Sequence, residues 1–208
     1  MDDGHRWALE TFGEHGPWIR REIRRSVEAE HAASQRAQEV SDHRSTRVYE
    51  QFYDGIAERF ERFGNLLGAP LVRPGKAPYR VPVVNGVALF PWRFSSGPDG
   101  RIQTTLFATS DARIALTDLH PGPVQEMLDL GLPDPELSDE ERRFLATLRA
   151  AESDPVVTSG WLVLVAICSS VKGLHSLEWG AVRLVDGGRV DWDGFHENLL
   201  GPPVLEAN

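Results

Sequence analysis

The stretch Tyr79-Arg80-Val81-Pro82-Val83-Val84-Asn85-Gly86-Val87-Ala88-Leu89-Phe90-Pro91-Trp92-Arg93-Phe94 sets two β-favouring runs on either side of Asn-Gly. That dipeptide accepts the positive φ angles of a two-residue turn, so the segment is predicted to fold back on itself as a hairpin. With Asn85 and Gly86 in the loop, Val84 faces Val87 and Pro82 faces Leu89. Pro82 has no N–H to donate, so regular pairing is short or bulged there. Alternation puts Phe90, Trp92 and Phe94 on one face of the second strand and Val87, Leu89 and Arg93 on the other.

Downstream, strands are expected at 103–108 and 112–117, separated by the turn-like Thr109-Ser110-Asp111, so that the hairpin grows into an antiparallel meander. Helical signals follow. Pro121-Gly122-Pro123 opens a short segment through Val124, Met127 and Leu128, and Ser138 with Glu141 forms a capping box ahead of Phe144, Leu145 and Leu148. Trp161-Leu162-Val163-Leu164-Val165-Ala166-Ile167 is a continuous apolar run of strand length, the pattern of a central strand covered on both faces. A second hairpin is read at 177–185 and 189–192 around Asp186-Gly187-Gly188.

Upstream, Pro17 opens a helix over 17–40 whose narrow apolar stripe is Ile19, Ile23 and Val27, with Arg20, Arg21, Arg24 and Arg25 around it. A stronger helix runs over 49–67, where Tyr49, Phe52, Tyr53, Ile56, Phe60, Phe63 and Leu67 recur at three- and four-residue steps. Gly64, Gly68 and Pro70 end it. The expected fold is therefore α+β: a mainly antiparallel sheet of about six or seven strands, two N-terminal helices and a helical insertion between the strand groups. Residues 1–46 are read as a helical arm and 47–208 as the α+β domain.

The 208 residues carry a net charge of -9, and only 51–110 have a positive balance, with 7 basic against 4 acidic side chains. An acidic chain repels the nucleic acid backbone and suits a basic partner, so nucleic acid is the less favoured partner. Arg80, Arg93 and Arg101 interleave with Tyr79, Trp92 and Phe94, but Arg93 projects away from the aromatic face, which weakens a base-stacking role. The single cysteine, Cys168, follows the apolar run and is expected to be a buried thiol. No basic leader and no apolar run of about 18 residues is present, so a cytoplasmic location without membrane contact is expected.

No phosphate-binding glycine loop, dinucleotide fingerprint, paired cysteines or His-Glu-x-x-His occurs. Ser169-Ser170-Val171-Lys172 has the spacing of a serine–lysine dyad, which needs both groups on the first turn of a helix, and lacks the companion Ser-Asp-Asn and Lys-Thr-Gly elements. Its plainer reading is a small-residue loop leaving a central strand. Asp191-Trp192-Asp193-Gly194-Phe195-His196-Glu197 concentrates carboxylates and an imidazole near a strand end. Asp191, Asp193 and Glu197 there are candidate ligands for a hard divalent ion, with His196 as a proton-transfer partner.

Two functional readings follow. The first is a nonenzymatic interaction or regulatory protein without a cofactor. It would bind a protein partner, or a second copy of itself, through the seam of Ile19, Ile23 and Val27 flanked by Arg20 and Arg24, and through its acidic surface. The second is a metal-dependent hydrolase, a nuclease in its sharpest form, and it requires the carboxylates of 191–197 to converge on one cleft.

Overall fold

Asn85 and Gly86 hold φ angles of 51° and 77° and turn the chain between β2 (Val81–Val84) and β3 (Val87–Ser95). The register matches the sequence reading, with Val84 opposite Val87 and Val83 opposite Ala88, and regular pairing stops before Pro82. Pro82 instead pairs with Leu71 of a two-residue strand, β1 (Leu71–Val72). The computed structural model describes residues 1–117, 137–151 and 162–201, with the side chains of 147–151 excepted.

Three helices precede β1: α1 (Asp3–Phe12), α2 (Gly16–Ser41) and α3 (Phe52–Leu66), with 3-10 turns at Gly13–His15 and Tyr49–Gln51. After β3 come a 3-10 turn at Ile102–Thr104, α4 (Asp111–Thr117) and α5 (Asp139–Ala151). The chain then forms β4 (Leu162–Ser170), β5 (Gly173–Val185) and β6 (Arg189–Asn198). Among the described residues the strands make one six-stranded sheet in the order β1-β2-β3-β4-β5-β6. The fold is α+β, but the sheet is mixed: β3 and β4 run parallel from Ala88 opposite Leu162 to Ser95 opposite Cys168, while every other pairing is antiparallel.

The apolar run occupies the centre of the sheet as its composition demands. Val163, Val165 and Ile167 join the core under the helices, and Leu162, Leu164 and Ala166 join the core on the other face. The same division holds in β3, with Val87 and Leu89 on the helix side and Phe90 and Trp92 opposite. The aromatic stripe of α3 lies on the sheet through Phe52, Ile56, Phe60 and Phe63.

Three differences have identifiable causes. The strand expected at 112–117 is helix α4: the Ser110 carbonyl accepts from the amides of Arg113 and Ile114, closing a first turn. Over seven residues, alternation and helical spacing cannot be told apart. The strand expected at 103–108 is a 3-10 turn followed by an irregular segment, whose Phe107 and Ala108 amides both donate to Gly188 O. Ile102, Phe107 and Leu116 thereby cover the lower face of the sheet. A third helix precedes the two expected at the N-terminus. Asp2 caps α1 by accepting from the His5 amide, and α1 delivers Ala8 and Phe12 to the core.

Residues 1–46 share one core with the sheet. Ile19, Ile23 and Val27 are fully buried in the cluster that holds Val163 and Trp179, each burial contributing about 1.5–3 kcal/mol. Their seam, expected to meet a partner, is filled by the chain's own sheet. The expected segment through Val124, Met127 and Leu128, the side chain of Leu148, Trp161 and the tail 202–208 lie outside the described residues.

Candidate functional site

The carboxylates of 191–197 do not converge. Along β6 the Gly194 φ of 82° and a register shift between Gly180 and Val182 of β5 interrupt the alternation. Glu197 is directed at the helices, where its two oxygens take a forked pair of hydrogen bonds from Arg20, at 3.0 Å for Nε, and one from Trp179 Nε1 at 3.1 Å. Asp191 pairs with Arg183 at 3.6 Å and lies 3.4 Å from Gln103 Nε2. His196 is exposed and stacks on Trp192 at 5.0 Å. Among the described residues no group of three or more His, Cys, Asp or Glu is arranged to hold a metal ion.

The other sequence candidates separate as well. Arg20 is tied to Glu197 and reaches Asp2 at 3.4 Å, while exposed Arg24 pairs with Glu28 one turn on. Arg80 pairs with Glu61. Trp179 is fully buried in the helix-side core, and Trp192 packs against the opposite core.

Chemically diverse groups gather elsewhere, beyond the carboxyl ends of the parallel strands β3 and β4. A cleft of about 560 Å³ is lined there by Thr46, Tyr49, Glu50, Arg93, Ser96, Pro98, Ser170, Val171, Lys172 and His175. One wall is the connection between α2 and α3, another is the end of β3, and the third is the tight turn that joins Ser170 of β4 to Gly173 of β5. Gln35 Nε2 fixes that turn to α2 through Val171 O at 2.9 Å.

Arg93 is the most constrained cation in the cleft. Its side chain is 11% exposed, Nε donates to Ser169 O at 3.0 Å, and the guanidinium lies 5.4 Å from the centre of the Tyr49 ring. Nη1 pairs with Glu50 Oε2 at 2.5 Å. Lys172 makes no ion pair among the described residues. Its backbone amide donates to Ser170 Oγ at 3.2 Å, and the same hydroxyl is 3.0 Å from His175 Nε2.

Tyr49 Oη and His31 Nδ1 share a hydrogen bond of 2.8 Å behind this wall. Burial raises the Tyr49 phenol above its ordinary range, an effect only partly offset by the Ser169 hydroxyl and the Arg93 charge. Burial also lowers His31, with the nearby His175 adding to the shift. At neutral pH both therefore stay uncharged. Ser169 Oγ, fully buried at the end of β4, lies close enough to the Tyr49 hydroxyl to offset part of its upward shift but makes no hydrogen bond of good geometry among the described residues, an exception among buried hydroxyls. Cys168 is buried, donates its thiol hydrogen to Gly97 O at 2.9 Å, and is pushed up by burial.

No family model, curated protein or solved structure matches this chain. The reading of the site therefore rests on its chemistry. The serine–lysine spacing of 169–172 falls on a strand end and a turn, with the Ser169 hydroxyl inside the core and Lys172 in the cleft, so the helical dyad geometry is not formed. No sequence signal joins 46–50, 93–98 and 170–175. The parallel alignment of β3 and β4 sets 93–98 beside 170–175, and the connection between α2 and α3 adds the remaining wall.

Proposed function

We propose that this chain is a nonenzymatic binding protein of regulatory type. The cleft beyond β3 and β4 is its ligand seat, and the charged outer face of α2 with the acidic surface is what it offers to a protein partner. The observation that supports this reading is the state of the polar groups in the cleft. Arg93 and Lys172 supply positive charge in an acidic chain. The groups suited to moving protons are engaged: His31 with Tyr49, and Ser170 with both His175 and the Lys172 amide. Among the described residues no carboxylate is hydrogen-bonded to His175, the partner that orients the base in a Ser-His-Asp arrangement. Such an arrangement suits holding an anion more than transforming one.

The seam of Ile19, Ile23 and Val27 is closed inside the fold, so the partner-facing part of α2 is its outer side, where Arg21, Arg24, Arg25 and Glu28 are exposed. Melting the purified protein against a panel of small anions, cations and neutral nucleosides tests the ligand seat. A ligand at about 100 times its dissociation constant adds roughly 2.7 kcal/mol. The expected result is stabilisation by an anion, lost in Arg93→Met, with the anion recovered chemically unchanged. Stabilisation by no anion, or turnover of the bound one, refutes the reading.

A further inference from the structure

We infer that the cleft takes a phosphorylated small molecule, and that Glu50 occupies the phosphate position in its absence. The inference rests on the cleft being a ligand seat and names what enters it.

Arg93 is held on two sides before any ligand arrives, by Ser169 O through Nε and by the face of the Tyr49 ring. Nη1 meets the one partner that can leave easily, the Glu50 carboxylate. The Glu50 side chain is 52% exposed while that of Arg93 is 11% exposed, so the carboxylate can swing into water and the guanidinium cannot follow. A half-exposed ion pair is a weak lock. An incoming oxyanion that forms the same charge-assisted bonds, and takes a second cation as well, displaces it.

The second cation is Lys172, which lines the same cleft without an ionic partner among the described residues. The Glu50 carboxylate brings one charge and meets Arg93 through a single contact, Nη1 to Oε2. A phosphate monoester carries between one and two negative charges near neutral pH and three free oxygens, enough for Arg93, Lys172 and the Ser170–His175 pair together. The cleft's volume of about 560 Å³ leaves room for the organic part beside Pro98, Val171 and Tyr49.

Displacement also has a structural consequence. Glu50 sits in the 3-10 turn at Tyr49–Gln51. That turn is tied to α2 because the Tyr49 amide donates to Gln38 Oε1 at 3.1 Å, and Gln38 Nε2 holds His43 O and Ser45 O, both at 2.9 Å. Releasing Glu50 removes the ion pair between this connection and β3, next to the end of α2, the helix whose outer face is offered to a partner.

The test is titration calorimetry of the 208-residue chain with phenyl phosphate and with benzoate, on the parent protein and on Glu50→Gln, Lys172→Met and Arg93→Lys. Phenyl phosphate is expected to bind. Glu50→Gln should bind it about two- to fivefold tighter, the size of the lost ion pair, and Lys172→Met and Arg93→Lys should each bind it at least about tenfold more weakly. Lys172 lies in an exposed turn, so Lys172→Met reports on the site even if Arg93→Lys folds poorly. Equal binding of benzoate and phenyl phosphate overturns the phosphate assignment and leaves the ligand seat standing. Binding of phenyl phosphate that Glu50→Gln weakens or leaves unchanged overturns the displacement by Glu50. Absence of binding by either anion overturns both this inference and the reading beneath it.

Discussion

Replacing Glu197 by alanine should cost the fold about 2–3 kcal/mol. The carboxylate ties three elements together, taking two hydrogen bonds from Arg20 of α2 and one from Trp179 of β5 while belonging to β6. Its side chain is 21% exposed and that of Arg20 is 23% exposed. Removing one member of a fully buried pair costs about 3–5 kcal/mol because the other charge is stranded. Here the remaining exposure and the second contact from Arg20 to Asp2 at 3.4 Å reduce that. For a chain of this length the loss corresponds to a fall of about 5–10 °C in Tm. Denaturant unfolding followed by tryptophan fluorescence is the suitable assay. Glu197→Gln, which keeps an acceptor for Trp179 Nε1, should lose less than Glu197→Ala. The double replacement Arg20→Met, Glu197→Met should recover much of the loss, since apolar side chains leave no stranded charge. If Glu197→Ala unfolds within about 0.5 kcal/mol of the parent, the size expected of a surface pair, the clamp does not join the helices to β6 as described.

Gly16→Ala should destabilise by more than about 2 kcal/mol, because a Cβ there would lie 2.2 Å from Ala8 O and only separation of α1 from α2 can relieve it; an unchanged denaturation midpoint would contradict that close approach. Ser169→Ala should leave Tm unchanged or raise it, since the buried hydroxyl it removes makes no hydrogen bond of good geometry among the described residues and leaving such a group unsatisfied costs about 1–3 kcal/mol; a drop of several degrees would show that its contact with the Tyr49 hydroxyl is a stabilising bond. Stability should fall on mild acidification. Burial holds His31 below its ordinary value of 6.5, so the stabilising preference for its neutral form is complete above that value and is lost as pH drops from there through the folded-state pKa. Chemical denaturation at stepped pH should show a slope in this window that is smaller in His31→Gln, and an identical slope in the variant would refute the assignment.

The parts of the fold legible in the sequence are those specified locally. Asn85-Gly86 sets a turn type, the uninterrupted run before Cys168 marks a strand covered on both faces, and the stripe from Phe52 to Phe63 has no other amphipathic reading. The direction in which β3 meets β4 is not local, and nothing in either strand distinguishes parallel from antiparallel pairing. Helix α1 escaped the reading although Asp2 is a good cap and Ala8 and Phe12 have helical spacing, because polar residues surround that short stripe. The cleft was illegible for the same reason as the parallel pair. The sequence did offer Arg93 and the 169–172 run, but as members of a nucleic-acid stripe and a dyad. Their shared location depends on the alignment of Arg93 with Ile167, which only the assembled sheet supplies.

That alignment also governs the order in which the molecule can assemble. The β2–β3 and β5–β6 hairpins, and the short β4–β5 turn, are made from neighbouring residues and can close rapidly. The β3–β4 seam joins Ala88 to Leu162 and cannot begin until both are made and the long intervening chain has been closed into a loop, a step whose entropic cost delays non-local pairing. On a ribosome, the helices and the first hairpin therefore emerge with their aromatic undersides uncovered, waiting for a strand still to be synthesised. The central strand is the last piece to arrive at the middle of the sheet, and until it docks the cleft at its carboxyl end has only one of its strand walls.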